Sequence, residues 1–403
     1  MRKIWKQIVS AIVLCSFVFF FPIYGKENVD LNAKYEYVAD AIENREYYSK
    51  QGTETIYPAS MTKIVTCIVA IDAIDDLEKT ITIEDSDLEG LQEANATVAG
   101  FTSGESLTYK DLLYGSLLPS GADASNALAR LTYGSVDDFV DAMNTLCKKL
   151  KLKNTHFINP TGLHDDKHYT TPKEMAELLR YAYKNETFQA VYGAKEYTSS
   201  NQLHTWQNTL YALSVSENMA YDDIVGAKTG YTLEAQSCVA SIISSKGHDV
   251  ISILAYEEER KNLLVDLESI KTYLNNTYEM VSLDSIIDKH RFRNHLQKTD
   301  IYRQNETELY LLKDYNLDDL VYTYEYTIKK APIKKNTTVG TYTISYNGEP
   351  VVSGNLIRKE DVDRSILLIV FKTILILCVL VGVGMCALRY RNIKKRKKKR
   401  RKR

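Results

Sequence analysis

The chain has 403 residues, enough for two or more domains, and its 51 Lys+Arg against 52 Asp+Glu leave a net charge of −1. That balance averages unlike parts. Setting aside the basic C-terminus, Arg2, Lys3, Lys6 and Lys372 leaves 35 cations against 52 carboxylates, about −17 for the rest. Between the apolar end segments the cysteines are Cys67, Cys147 and Cys238, an odd number in apolar or helical settings, which excludes a disulfide framework and reads as small core residues.

Arg2, Lys3 and Lys6 precede an apolar run from Ile8 to Phe21, then Pro22-Ile23-Tyr24-Gly25 and polar Lys26-Glu27-Asn28. This is the order of a secretory signal over residues 1–25, cleaved after Gly25; an uncleaved anchor is the alternative. Lys34–Glu43 reads as a strand, and Asn44-Arg45-Glu46 as a turn into a second strand at Tyr47-Tyr48. Tyr57-Pro58-Ala59-Ser60-Met61-Thr62-Lys63 then leads into the apolar run Ile64–Ile71, a buried helix with Ser60 at its first turn. One helical turn stacks the Lys63 amine beside the Ser60 hydroxyl. The Ser60 N–H is one of the unpaired donors at a helix start, and a lysine against an apolar helix loses proton affinity by desolvation. A lone Ser-x-x-Lys is nevertheless usually just a helix start.

Thr80–Asp87 is polar and reads as extended, and Ala94–Thr97 as loop. Thr108 caps a helix that Pro119-Ser120-Gly121 terminates; Ser125–Leu131 resumes helix, and Val136–Leu150 is an amphipathic one. Asn159-Pro160-Thr161-Gly162-Leu163-His164 is a turn-rich loop, and Thr171-Pro172 starts a further helix. Val225–Thr232, Cys238–Ser244 and Val250–Tyr256 read as neighbouring strands, the last two joined through Lys246-Gly247-His248, and Leu263–Leu274 as a closing helix. From about Thr277 short strands take over, at Leu309–Lys313, Leu320–Lys329 and Thr338–Tyr346, with Asn347-Gly348 a hairpin turn. Tyr322, Tyr324 and Tyr326 share one face there, a stripe that sheet packing explains.

Ile366–Leu388 is apolar over about 23 residues, broken by Lys372, long enough to span a bilayer. Arg389–Arg403 is nearly all Lys and Arg. Beside a spanning helix such a run marks the cytoplasmic side and holds anionic headgroups; it does not indicate nucleic-acid binding.

Two further segments change the weight of Ser60-x-x-Lys63. Leu118-Pro119-Ser120-Gly121-Ala122-Asp123 sets a second serine on a tight turn, and Gly226-Ala227-Lys228-Thr229-Gly230-Tyr231-Thr232 sets Lys, Thr and Gly on a strand, where a Gly often marks the close approach of a ligand to the backbone. Ser-x-x-Lys, a Ser-Gly turn and Lys-Thr-Gly in this order are far beyond chance. Over about residues 30–275 the chain resembles the low-molecular-mass penicillin-binding, serine D-alanyl-D-alanine carboxypeptidases, including Asn159–His164 with His168-Tyr169-Thr170. The resemblance implies Ser60 as nucleophile, Lys63 as its base and Ser120 as proton relay. It also implies Lys228 and Thr229 gripping the substrate carboxylate, the N–H groups of Ser60 and Tyr231 (after Gly230) as oxyanion hole, and Arg260 assisting with the carboxylate. Its substrates would be peptidoglycan stem peptides and its covalent inhibitors β-lactams, with no metal or organic cofactor.

One position departs from the pattern. The second motif is typically Ser-x-Asn, and here its third residue is Ala122, which offers no amide; Asp123 points elsewhere and Asn126 has the wrong spacing. His164 and His168, with Asp165 and Asp166 between them, lie in a Pro/Gly-rich loop without a third ligand, so no metal is assigned. A β-lactamase would need a water-activating Glu before Lys-Thr-Gly, and Glu186, Glu196 and Glu217 have no such setting. A non-catalytic penicillin-binding wall sensor is favoured by Ala122 and opposed by the retained Ser60, Lys63, Ser120, Lys228 and Thr229. The expectation is an α+β protein: a signal (1–25), a β-lactamase/DD-peptidase-like catalytic domain with an antiparallel sheet, flanking helices and a helical lobe (30–275), a small all-β domain (280–360), a transmembrane helix (366–388) and a basic cytoplasmic tail (389–403). It would be a single-pass membrane protein with its catalytic domain outside the cytoplasm, acting in cell-wall synthesis and remodelling.

Overall fold

The computed structural model describes residues 29–283, 286–304 and 308–400; the expected signal at 1–25 lies outside them. Two compact units divide the chain. The first takes in Glu46–Ile243 and Val250–Tyr273 with the residues up to Ala39; the second is Leu274 onward together with the turns Asp40–Arg45 and Ser244–Asp249.

In the first unit, β1 (Tyr35–Asp40) pairs antiparallel with β2 (Glu46–Lys50), Val38 opposite Tyr48. A 3₁₀ turn at Ala59–Met61 opens into α1 (Thr62–Ala73), buried from Thr62 through Ala70, as its largely apolar sequence favours, with Thr62, Lys63 and Thr66 buried among the apolar side chains. β3 (Thr80–Thr82) pairs with β4 (Ser106–Thr108), and four helices follow: α2 (Tyr109–Leu117), α3 (Ala122–Tyr133), α4 (Val136–Lys149) and α5 (Pro172–Tyr183). Thr108 caps α2 in a reciprocal box with Asp111, and Thr171 caps α5, whose first residue is Pro172.

The expectation that Thr80–Asp87 stays extended fails at its end, where Asp85–Leu88 is a helical turn. Glu84 and Asp87 cap each other's backbone, and Arg130 of α3 clamps the Asp87 carboxylate at 2.7 Å. That long-range ion pair is invisible to local pattern.

α6 (Glu186–Tyr192), the pair β5 (Glu196–Thr198) and β6 (Thr205–Gln207), and α7 (Thr209–Ser216) lead to the strands β7 (Ile224–Thr232), β8 (Gln236–Ser245) and β9 (His248–Glu257). The sheet runs β2-β1-β9-β8-β7, so β7 is an edge, and α8 (Asn262–Thr277) closes the segment. Asp266 of α8 accepts the Asn32 and Ala33 amides at 2.9 Å, pinning the chain just before β1. Cys67, Cys147 and Cys238 are buried free thiols, as read from their settings.

From Tyr278 to its final helix the second unit is built of strands, with one 3₁₀ turn at Leu317–Asp319. Its strands are β10 (Tyr278–Ser282), β11 (Ile286–His290), β12 (Thr299–Arg303), β13 (Glu308–Leu312), β14 (Leu320–Tyr326), β15 (Thr338–Tyr346) and β16 (Glu349–Ile357). β10 pairs with β13, and a sheet of order β11-β12-β16-β15-β14 holds a core around Phe292, Ile301, Leu309, Val339, Ile344 and Leu356. Asn347 and Gly348 turn β15 into β16 with φ of 52° and 85°, the left-handed pair that an Asn-Gly hairpin supplies. Two of the three stripe tyrosines serve packing: Tyr324 donates to Ile287 O at 2.8 Å, and Tyr326 stacks on His290. The third, Tyr322, stays 41% exposed. α9 (Ile366–Arg400) follows; over Ile366–Lys395 it is long and apolar enough to cross a membrane, its most apolar 18-residue window having a mean hydropathy of 3.0.

Candidate active site

The run-in to α1 places Ser60 half-buried at the mouth of a cleft of about 550 Å³, which Ser120, Thr229, Gly230, Tyr231 and Arg260 also line. Lys63 lies buried beneath, its Nζ 3.0 Å from Ser60 Oγ and donating to the Thr161 carbonyl. Burial pulls its pKa from 10.5 down to about 7, against a smaller opposing pull from Asp123. An amine that is half neutral at pH 7 and in reach of a hydroxyl can take its proton.

The Asn159–Gly162 loop is the other half of this arrangement. Asn159 Oδ1 accepts the Thr161 and Gly162 amides at 3.1 and 2.7 Å, which turns the Thr161 carbonyl onto Lys63. Pro160 O accepts the Thr66 hydroxyl of α1 at 2.6 Å. Gly162 has φ +80°, and a Cβ there would collide with the Ala59 carbonyl, so glycine alone fits. His168 is buried, with Nε2 2.8 Å from Thr62 Oγ1 and Nδ1 accepting the Ile158 amide; burial lowers its pKa to about 4, so it is a neutral hydrogen-bonding strut. His164 packs edge-on against Tyr57 at 4.7 Å.

β7 forms the opposite wall. A Cβ on Gly230 would stand 2.9 Å from the Ser60 amide, 2.8 Å from Cys238 Sγ and 3.0 Å from Ala59 Cβ. The close approach at this glycine, expected of a ligand, is instead made by the chain's own Ala59-Ser60 segment. Lys228 is fully buried and donates to Thr229 O at 3.0 Å; desolvation first, and Lys63 second, push its pKa well down. Thr229 Oγ1 meets Thr209 Oγ1 at 2.6 Å, and Arg260 Nη2 reaches Thr209 O at 3.5 Å. Asn208 ties this corner together: its Oδ1 caps α7, and its Nδ2 donates to Ala227 O at 2.8 Å. Tyr231 stands at the rim, 58% exposed.

Ser120 sits at φ +72° on the turn before α3. Ala122 is buried and its N–H donates to Thr97 O at 2.8 Å. Asp123 does point elsewhere: its carboxylate accepts the amides of Ala99, Gly100 and Phe101 at 2.7, 3.0 and 3.1 Å. Trp206 Nε1 fixes the same loop through Ala99 O at 2.8 Å. Asn95 and Thr97 line the cleft from this loop. Sequence reasoning read the segment as loop and missed that it forms a wall; its only signal was the acid at Asp123, in the first turn of α3. Asn208 and Thr209 were missed too, although an Asn before the apolar start of α7 is a recognisable cap. Glu186, Glu196 and Glu217 are absent from the cleft lining.

The sequence profile of the D-alanyl-D-alanine carboxypeptidase family, peptidase S11, matches residues 24–257. The D-alanyl-D-alanine carboxypeptidase DacF of Bacillus subtilis is 26% identical over 384 residues, covering 91% of this chain and 96% of that protein. The D-alanyl-D-alanine carboxypeptidase of Streptomyces sp. strain K15 is 33% identical over 220 residues, 51% of this chain and 74% of its own. Among solved structures, penicillin binding protein 5 from Haemophilus influenzae shares the fold with a TM-score of 0.66 at 22% identity, over 83% of this chain and 98% of its own. With the profile spanning more than half of the sequence, the chain belongs to the D-alanyl-D-alanine carboxypeptidase family of serine peptidases.

Proposed function

We propose that this protein removes the terminal D-alanine from peptidoglycan stem peptides through an ester on Ser60. Lys63 takes the Ser60 proton as Oγ attacks the carbonyl between the two terminal D-alanines. The N–H groups of Ser60 and Tyr231 hold the oxyanion, and Ser120 passes a proton to the departing amine. Free D-alanine leaves, and water then hydrolyses the Ser60 ester. Lys228, Thr229 and Arg260 receive the terminal carboxylate; burial, and secondarily Lys63, lower the pKa of Lys228, and an arriving carboxylate would favour its charged form. β-Lactams would acylate the same serine, and α9 would tether the enzyme so that it works outside the cytoplasm.

The observation that carries this reading is the Lys63 amine, with a pKa of about 7, at 3.0 Å from Ser60 Oγ. A penicillin sensor would use the same acylating pair and free no D-alanine, and Ala122 alone speaks for it. A fluorescent penicillin tests Ser60 and Lys63 as that pair. The native chain should label covalently, whereas Ser60→Ala and Lys63→Met should not. Label retained by Ser60→Ala would remove Ser60 from the nucleophile's role.

A further inference from the structure

The membrane-proximal end of the second unit has a charge opposite to that of the exported body. Lys289–Lys298 and Lys329–Lys335 carry eight Lys and Arg and no Asp or Glu, within a body of about −17. Backbone bonds lock the two loops together: Arg293 N to Lys329 O and Ala331 N to Arg293 O, both 2.9 Å. Ile333 and Val362 exchange bonds at 2.9 and 2.8 Å, and Ser365 N, just before α9, donates to Asn294 O at 2.7 Å. The loops and the start of α9 are thus one platform.

Burial sorts its side chains. Phe292, Ala331 and Ile333 point into the core, which turns their charged neighbours outward. Arg291, Arg293, Lys298, Lys329, Lys330 and Lys335 are exposed and form no salt bridge among the described residues. Lys334 and Lys289 do have partners, Asp361 at 3.0 Å and Asp300 at 3.9 Å. A cluster of unpaired like charges raises the energy of an isolated fold, so a counter-charge outside the protein is the natural occupant.

The depth of the platform says which one. Lys372 is the seventh residue of α9, about 10 Å along it at ~1.5 Å per residue. Its Nζ nevertheless reaches Asn294 Oδ1 at 2.9 Å. A loop that holds an ammonium from the second turn of an apolar helix lies at the level where that helix enters the bilayer, and Lys372 snorkels up to it. Leu296, 46% exposed at the tip of the same loop, presents an apolar side chain among the cations, as interfacial segments do. The rule that sets topology from flanking cations accounts for the tail after Leu388; it does not account for cations on the other flank.

We propose that the loops Lys289–Lys298 and Lys329–Lys335 form a basic seat that binds the phosphates of anionic lipid headgroups; this rests on reading α9 as the membrane span. The test places the full chain in nanodiscs of phosphatidylcholine alone or with about one third phosphatidylglycerol, the anionic lipid whose attraction is at issue. Amide exchange of the two loops should slow about fivefold with phosphatidylglycerol, the factor that ~1 kcal/mol per surface cation represents. About 1 M NaCl, with a screening length of ~3 Å, should reverse it. Replacing Arg291, Arg293, Lys329 and Lys330 by Gln should abolish the effect while exchange in β15 and D-alanine release stay unchanged.

Equal exchange in both kinds of disc would overturn the proposal and leave the span intact. Equal slowing by soluble polyphosphate added to phosphatidylcholine discs would also overturn it, since the loops would then be a phosphate site without preference for a membrane. A chain that stays outside the discs would overturn the span reading and this one with it, and D-alanine release in detergent would still report the active site independently.

Discussion

Replacing Lys63 by methionine should stabilise the protein while abolishing its chemistry. In the fold the amine's pKa is about 7, against 10.5 ordinarily, so the unfolded chain binds that proton more tightly. Stability is therefore lost as the pH falls from above 10.5 towards 7 and is flat below that. At pH 7 the penalty is about 5 kcal/mol, as an order of magnitude. Methionine matches the volume and needs no solvation, but it leaves the buried Thr161 carbonyl unpaired, which costs about 1–3 kcal/mol. The net gain at pH 7 is about 2–4 kcal/mol, and for a domain of this size, at about 2–4 °C per kcal/mol, that raises the melting temperature by at least about 4 °C. Thermal unfolding of both proteins at pH 7 and pH 10 checks it. Near pH 10 the penalty has nearly vanished while the unpaired carbonyl remains, so the order of stabilities should reverse. A variant no more stable than the native protein at pH 7, or a difference that ignores pH, would refute the claim that Lys63 is held neutral by burial.

Acylation by a penicillin should rise with pH through about 7 and fall about tenfold per pH unit below it, because only the neutral Lys63 accepts the Ser60 proton. Stopped-flow labelling between pH 5 and 9 gives the profile, and a flat one would remove Lys63 as base. Gly230→Ala should leave a folded protein, destabilised by about 1–3 kcal/mol, whose acylation is about 100-fold slower, since the new methyl meets the Ser60 amide and the Cys238 sulfur. Circular dichroism and labelling rates separate the two effects. Asp123→Ala should free the amides of Ala99, Gly100 and Phe101, visible as faster hydrogen exchange there, and raise KM more than it lowers kcat. Unchanged exchange in that loop would show that the carboxylate does not hold it.

The parts of the site that were legible in the sequence are those whose chemistry is local. Ser60 and Lys63 lie one helical turn apart, and Lys228, Thr229 and Gly230 are consecutive on one strand, so periodicity alone sets each group. Thr161 bonds Lys63 from 98 positions away and Asp123 reaches back 22–24 positions to the loop that lines the cleft. No spacing rule carries such pairings, and only the glycine at 162 and the acid at 123 hinted at them. The second unit shows the same division. Thr338–Tyr346 and the Asn347-Gly348 turn were readable from alternation and turn chemistry, whereas the short strands Tyr278–Ser282 and Thr299–Arg303 exist because partners found in the fold complete them. The grouping of the turns Asp40–Arg45 and Ser244–Asp249 with that unit was equally unreadable. It depends on the Arg45 guanidinium donating to Tyr310 O and on Ser245 Oγ meeting Tyr310 OH at 2.6 Å.

Release of D-alanine from a stem pentapeptide ending in D-Ala-D-Ala tests the central claim most directly. The native protein should liberate one D-alanine per peptide and leave a tetrapeptide, and Ser60→Ala, equally folded, should liberate none. Release that survives Ser60→Ala, or a folded native protein that acylates with penicillin yet frees no D-alanine, would contradict the account.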